Sequence, residues 1–464
     1  MTPLPSPETR LFAAHAWLPG GWTRDVLFGF GGDGAIQSVE IGAEAAGAPV
    51  ARGPVVPGFP NLHSHAFQRA MAGLAERASG PEDSFWTWRQ VMYGFLGRLD
   101  PDQVQIIASQ LYIEMLKAGY TSVGEFHYLH HDPAGERYAE PAEMGLRLLH
   151  AAGAVGIGLT LLPVLYRYGG FGGAAPSEAQ RRFLNDPDDF LMIVQALIGA
   201  SDGNPNARLG IAPHSLRAVT PETLKAVVES FAGLDPTGPI HIHIAEQVKE
   251  VEDCLAWSRR RPVAWLLDNL PVDRHWCLVH ATHLEPAETV GLARSGAVAG
   301  LCPTTEANLG DGLFPASDYL AAEGLWGIGS DSHISIDPWE ELRLLEYGQR
   351  LVQRRRNILR PESGGSVGVT LFAGALLGGA RALGRPLGAL SPGHRADLLV
   401  LDTSAPQLLT REGDALLDSA IFACNRPPVR DVMVGGRWVI EDGHHPAEAE
   451  VAEAFRGVLL AAAG

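Results

Sequence analysis

With 464 residues, 46% of them hydrophobic and 19% charged, the chain has ample material for a large core. A formal net charge of −17 excludes nucleic acid and anionic membrane as expected partners, because both demand basic surfaces. The length suits a barrel of ordinary size with an appendage rather than one small domain.

The opening Met1-Thr2-Pro3-Leu4-Pro5 carries no basic stretch followed by an apolar one, and no apolar run of about 18 residues occurs. Neither a secretory signal nor a membrane span is therefore expected. Leu11-Phe12-Ala13, Val26-Leu27-Phe28 and Ile36-Gln37-Ser38-Val39 read as short strands, with Gly31-Gly32-Asp33-Gly34 as the turn between the last two. From residue 57 strand and helix patterns alternate. Strands are predicted near 56–63, 120–125, 155–163, 208–213, 240–244, 276–280, 297–302 and 326–331, and helices over 103–117, 222–231 and 339–351, among others. Such a series predicts an α/β fold, a (β/α)8 barrel over 57–387 with its active site at the C-terminal ends of the strands. The Ala/Gly-rich stretch 372–382 reads as a tightly packed helix, and Arg354-Arg355-Arg356 as a solvated helix face. Strand patterns return in Leu398-Leu399-Val400-Leu401 and from Val432 to Ile440. The two ends, 1–56 and 388–464, are expected to meet in a small β-sandwich into which the barrel is inserted. Cys254, Cys277, Cys302 and Cys424 are scattered without a CxxC pair; Cys277 and Cys302 should be buried thiols, and the expected compartment is a reducing cytoplasm.

The chemistry gathers where strands end. His63 and His65 close the first barrel strand two residues apart, so both imidazoles share one face and suit a borderline cation such as zinc. Ile240-His241-Ile242-His243-Ile244-Ala245-Glu246 ends in His-x-x-Glu, Trp276-Cys277-Leu278-Val279-His280 ends in histidine, and Gly327-Ile328-Gly329-Ser330-Asp331 ends in aspartate. Polar residues at the ends of apolar strands make poor core. His63, His65, His243 and Asp331 form a ligand set with one position left for water, as a catalytic zinc site requires. Asp331 could also accept the water's proton, Glu246 could protonate a leaving nitrogen, and His280 could hold the developing charge. His241 shares the face of His243 and competes with it, but the spacing to Glu246 favours His243. His283 and His333, just past strand ends, read as neighbours of the site rather than ligands. His127, His130 and His131 lack metal spacing and read as a polar loop.

The motifs PGFPNLHSH, HIHIAEQ, LVHATHL, GIGSDSH and SPGHRADLLVLD together resemble the amidohydrolase superfamily along nearly the whole chain. Binuclear members carry a bridging lysine on the fourth strand. Here that strand runs Ile211-Ala212-Pro213-His214-Ser215-Leu216-Arg217 without one, so the resemblance implies the mononuclear deaminase branch and one divalent metal ion, zinc by default. NLHSHAFQRAMAG, SFWTWRQVMY, EFHYLHH and SDSHISIDPWEELRLLEYGQR resemble the members that hydrolyse a linear formimino group of histidine breakdown. Such a substrate is a small dicarboxylate amidine. The resemblance implies that Gln68, Arg89, Tyr128, His214 and Arg217 bind it, in keeping with the preference of carboxylates for arginine forks. It also implies a homodimer. Two other functions remain on the table: a deaminase of a nucleobase or S-adenosylhomocysteine-like substrate on the same metal site, and a non-catalytic barrel scaffold. The second sits badly with a full set of ligands.

Overall fold

Runs that are apolar at every position cannot keep one face in water, so they become strands covered on both sides. Gly158–Leu165, apolar but for Thr160, is close to this, and Tyr120–His127 is likewise buried at all positions although it carries Thr121, Ser122, Glu125 and His127. The protein is described by a computed structural model over residues 4–76 and 84–463; the first three residues of the opening segment lie outside it. In it these two strands join Phe59–Ser64 and Ala207–Leu209 in one parallel sheet, with Ala212–Pro213 alongside Gly158–Leu165. A second parallel sheet orders Ile240–Ile244, Trp276–His280, Val298–Leu301 and Leu325–Ile328. The sheets meet edge to edge at two seams. Ser64 bridges Asp331 at one, while Ile211–Ile240 and Ser215–His243 bridges close the other. This is an α/β fold of parallel sheets.

Helices follow the strands and begin on recognisable caps. Asp100 accepts the Gln103 amide at 2.8 Å ahead of Pro101–Ala118, and Thr220 and Asp337 cap Pro221–Leu234 and Pro338–Gln353 likewise. Each cap contributes about 1 kcal/mol. The expected Ala/Gly-rich helix is Val367–Leu383, and its composition follows from contact distance. A Cβ on Gly378 would collide with the carbonyl oxygen of Trp326, so only glycine lets this helix lie directly on the strand Leu325–Ile328. Phe59 packs edge-on against Trp339 and Phe372 with ring centroids 5.0 and 4.9 Å apart, and Trp17 reaches Phe372 at 5.3 Å. That cluster ties the first sheet to two helices and to the N-terminal strands.

The two ends of the chain do meet. Arg437–Ile440, Val429–Val434, Leu398–Leu401, Val55–Pro57, Arg10–Leu18, Gly21–Phe30 and Ile36–Ile41 form, in that order, a seven-stranded sheet. Its junction is Val55–Pro57, antiparallel to Leu398–Leu401 and parallel to Arg10–Leu18. Residues from both ends, among them Leu11, Val26, Phe28, Leu398 and Met433, share one core cluster.

Several boundaries shift for local reasons. The strand expected over 155–163 starts at Gly158, because the helix Glu143–Val155 runs up to a left-handed Gly156 at its end. The strand expected over 208–213 is split, and Asp331 lies three residues beyond Leu325–Ile328 rather than on it. Arg354-Arg355-Arg356 is an exposed turn after the helix ending at Gln353, not a helix face. All four cysteines are free and buried. Among the described residues no helix is long and apolar enough to cross a membrane.

Candidate active site

The ends of the first, fifth and eighth parallel strands (Phe59–Ser64, Ile240–Ile244 and Leu325–Ile328) bring His63, His65, His243 and Asp331 together. The Nε2 atoms of His63 and His65 are 3.2 Å apart, and that of His243 is 2.9 Å from that of His63. Asp331 Oδ1 lies 3.4 and 3.3 Å from the Nε2 atoms of His63 and His65. Tetrahedral bonds of about 2.0–2.1 Å to zinc place ligand atoms about 3.3 Å apart, so this donor set fits the ion. Hydrogen bonding alone does not explain the crowding. His65 Nδ1 donates to the Phe126 carbonyl at 2.8 Å, which leaves its Nε2 a bare lone pair turned toward its neighbours. Burial together with His63 pulls the His65 imidazole down to about 3, and burial lowers His63 and His243 as well. Neutral imidazoles are the form that binds a metal.

His280 stands at the edge of this set, 3.8 Å from Asp331 and 3.7 Å from Glu246 through its Nε2, while its Nδ1 faces Glu306 at 3.3 Å. Burial opposes its charge, yet Glu246, Glu306 and Asp331 outweigh burial and push it up to about 10. The acids answer in kind. Burial raises Glu246 against the pull of His280 and Arg217, and burial with Glu246 nearby pushes Asp311 up to about 9. Backbone strain is concentrated here: Ala245, His280, Ala281, Asp331 and His333 all have φ between 46° and 67°. Each such non-glycine residue costs on the order of 1–3 kcal/mol, a cost that clusters at active sites.

The opposite side of the same cleft is cationic and aromatic. Gln68, Arg89, Tyr128, His214 and Arg217 line it together with His65, His243, Glu246, His280 and Asp331, so the residues expected from sequence to bind substrate come to one place. Gln68 donates to the Tyr128 hydroxyl at 3.1 Å, and its own Oε1 is buried without a partner. Arg89 donates to the hydroxyls of Tyr93 and Tyr166, the latter at 2.8 Å, and lies over the rings of Trp86 and Tyr93. Arg217 stands 3.7 Å from Glu246 and 3.9 Å from Glu250, with a buried Nε that has no partner. His214 packs 4.5 Å from the Tyr166 ring, and burial with Arg217 and Arg89 beside it keeps the imidazole neutral.

Several contributors escaped the sequence reading. Glu250, fully buried, accepts the amides of Ala245 and Glu246 at 3.2 and 3.1 Å and so fixes the turn that carries Glu246. Glu306 accepts the Cys302 amide at 2.9 Å while facing His280. Tyr166 receives both Arg89 and Gln180. The spacing of Glu250 from Glu246, one helical turn, was the one available signal. His241 is not a rival ligand: its Nε2 is 2.8 Å from the Ala382 carbonyl, one layer deeper. The expected polar loop of His127, His130 and His131 is instead buried, with His130 and His131 bonded to the carbonyls of Val164 and Leu184 at 2.8 Å each. His333 is also buried, holding Ser330 and the His65 amide, whereas His283 Nε2 is buried without a partner.

Known proteins extend these observations. The family model described as the amidohydrolase family matches residues 55–439. A formimidoylglutamate deiminase of Pseudomonas aeruginosa is 58% identical over 449 residues, covering 97% of this chain and 98% of that protein. An 8-oxoguanine deaminase of the same organism is 28% identical, covering 84% of this chain and 82% of its own. The crystal structure of an amidohydrolase from Brucella melitensis is 50% identical with a TM-score of 0.94, covering 98% of this chain and all 100% of that one. An adenosine deaminase from Xanthomonas campestris with bound zinc shares the fold at 22% identity and a TM-score of 0.81, each chain covered to 99%. Metal dependence is a property of the group, and the histidine and aspartate cluster is where this chain can meet it. On the strength of that match across most of its length, the chain belongs to the amidohydrolase family.

Proposed function

We propose that the chain hydrolyses N-formimino-L-glutamate to N-formyl-L-glutamate and ammonia, the deiminase step of histidine breakdown. What carries the reading is the end-to-end relationship to the Pseudomonas aeruginosa deiminase, 58% identical over 97% of this chain. The cleft supports it: a dicarboxylate calls for two cationic grips, and Arg89 and Arg217 line the same space as the acids. In this reading Gln68, Tyr128 and His214 complete the substrate contacts, and His63, His65, His243 and Asp331 hold a single divalent ion, zinc by its ligand types. Such an ion lowers the pKa of water toward about 7 and so supplies the nucleophile at neutral pH.

The residues do the rest. The formimino carbon gains an oxygen from water and loses its terminal nitrogen as ammonia. Asp331 Oδ2, turned toward His280, takes the water's proton. Glu246, held in place by the Glu250 contacts to its turn, delivers a proton to the departing nitrogen; burial raises its pKa, which suits a group that must carry one. His280, kept cationic by Glu246 and Glu306, orients the water and steadies charge on the new oxygen. Arg89 and Arg217 fix the carboxylates so that the amidine end reaches these groups.

The same reading takes the two parallel sheets, joined at both seams, as a (β/α)8 barrel over 57–387, with 1–56 and 388–464 forming a β-sandwich from the sheet they share. It includes a homodimer working in the cytoplasm. A nucleobase or S-adenosylhomocysteine-like substrate is the second reading, favoured only by relatives near 28% identity. Ammonia release measured with N-formimino-L-glutamate, guanine, cytosine and S-adenosylhomocysteine separates them. We expect turnover of the first alone; turnover of a ring substrate instead would replace the proposal, and release from none would favour a scaffold.

A further inference from the structure

Glu125 lies within the strand Tyr120–His127 and is 1% exposed. Its Oε2 accepts the Ser64 hydroxyl at 2.6 Å and the Tyr112 hydroxyl at 3.2 Å, and its Oε1 accepts the Ala66 amide at 2.6 Å. Among the described residues no cation forms an ion pair with it. A buried carboxylate without a cation is costly, and these three hydrogen bonds are its compensation. Two of the three go to the residues on either side of His65. The adjacent Phe126 supplies the carbonyl that receives His65 Nδ1. One short stretch of strand, Glu125-Phe126, therefore holds His65 by the chain before it, the chain after it and its ring.

We propose that Glu125 is a positioning residue of the metal centre: by gripping Ser64 and Ala66 it fixes the backbone around His65, so that Nε2 meets His63 and Asp331 at ligand spacing. The Phe126 carbonyl sets the direction of the ring nitrogen, and the Asp331 carbonyl and His333 Nε2 receive the His65 amide at 3.2 and 3.3 Å. Glu125 adds what these do not, an anchor on each of the residues flanking His65. The inference rests on the metal-site reading above. Outer partners of metal ligands are typically worth about 10–100-fold in metal affinity, and Glu125 should fall in that range.

The test is zinc affinity of the folded apo-protein by chelator competition, read beside the apo melting temperature. Glu125→Ala should bind zinc about 10–100-fold more weakly than the parent. Tyr112→Phe removes the hydrogen bond that holds no ligand residue, so it should lower the melting temperature while keeping parental zinc affinity. If Glu125→Ala does not fold, Ser64→Ala, which releases the chain from the same carboxylate, should show the loss. Parental zinc affinity in the folded Glu125→Ala protein, or in Ser64→Ala where that one stands in, overturns the inference. So does an equal loss in Tyr112→Phe, which would mark the effect as general stability. A parental chain that binds no zinc overturns both this inference and the metal-site reading, a result distinct from the others.

Discussion

On one wall of the cleft Glu246, Glu306 and Asp311 crowd around His280 and Asp331, whereas on the other Arg89 meets, among the described residues, the phenols of Tyr93 and Tyr166 and the rings of Trp86 and Tyr93. The first wall has more carboxylates than cations, so its members share protons: Glu246 and Asp311 are pushed up while His280 is held as a cation. The second wall has a half-buried guanidinium that, among the described residues, forms no ion pair with a carboxylate. Phenol oxygens partner this guanidinium without cancelling its charge, which leaves it able to pair with a ligand anion. Arg217 stands at the seam, close to Glu246 and Glu250 yet with its Nε unpartnered. The contrast teaches a division of labour: one wall moves protons, the other recognises charge.

That division can be broken from either side. The largest effect should come from His63→Ala or Asp331→Ala, which remove ligands: metal and activity should vanish together, checked by elemental analysis and ammonia release on one preparation. Two metal ions per active chain would instead refute a single-ion centre. Next comes Glu246→Gln, which should keep metal and substrate affinity while kcat falls by about 10²–10⁴-fold. A variant that has lost metal and recovers near-parental kcat on adding zinc would reduce Glu246 to a support for His243. Arg217→Ala and Arg89→Ala should each cost about 1.5–3 kcal/mol of transition-state binding, at least about tenfold in kcat/KM, with metal retained. The smallest effect on activity is expected from Phe59→Ala, outside both walls. It should cost about 3–5 kcal/mol of stability, seen as a lowered melting temperature, while kcat well below the transition stays near parental.

The walls were not equally legible in the sequence. His63, His65 and His243 could be read because each ends an apolar run, and period-two alternation tells which side chains share a face. His214 and Arg217 could be picked out as polar residues at a strand end, whereas Gln68, Arg89 and Tyr128 leaned on the resemblance, since nothing in the sequence marks a lone arginine on Phe85–Leu96 as lining one cleft with His214. Glu306 was invisible for a related reason: on the helix Pro303–Leu309 it looks like an ordinary first-turn acid, and only the fold sets it against His280. His130 and His131 misled because their partners are the carbonyls of Val164 and Leu184, far along the chain, and His127 because the strand Tyr120–His127 runs two residues past the expected end. The left-handed backbone at His280 and Asp331 also has no signature in residue type, since neither is glycine.

The most direct test of the division of labour is a ratio: kcat/KM for N-formimino-L-glutamate over kcat/KM for a neutral formamidine, measured in the parent, Glu246→Gln and Arg217→Ala. The account predicts that Glu246→Gln slows both substrates together and leaves the ratio at the parental value, whereas Arg217→Ala collapses it by at least about tenfold. A Glu246→Gln protein whose ratio falls as far as that of Arg217→Ala, or an Arg217→Ala protein that keeps the parental ratio, would contradict it.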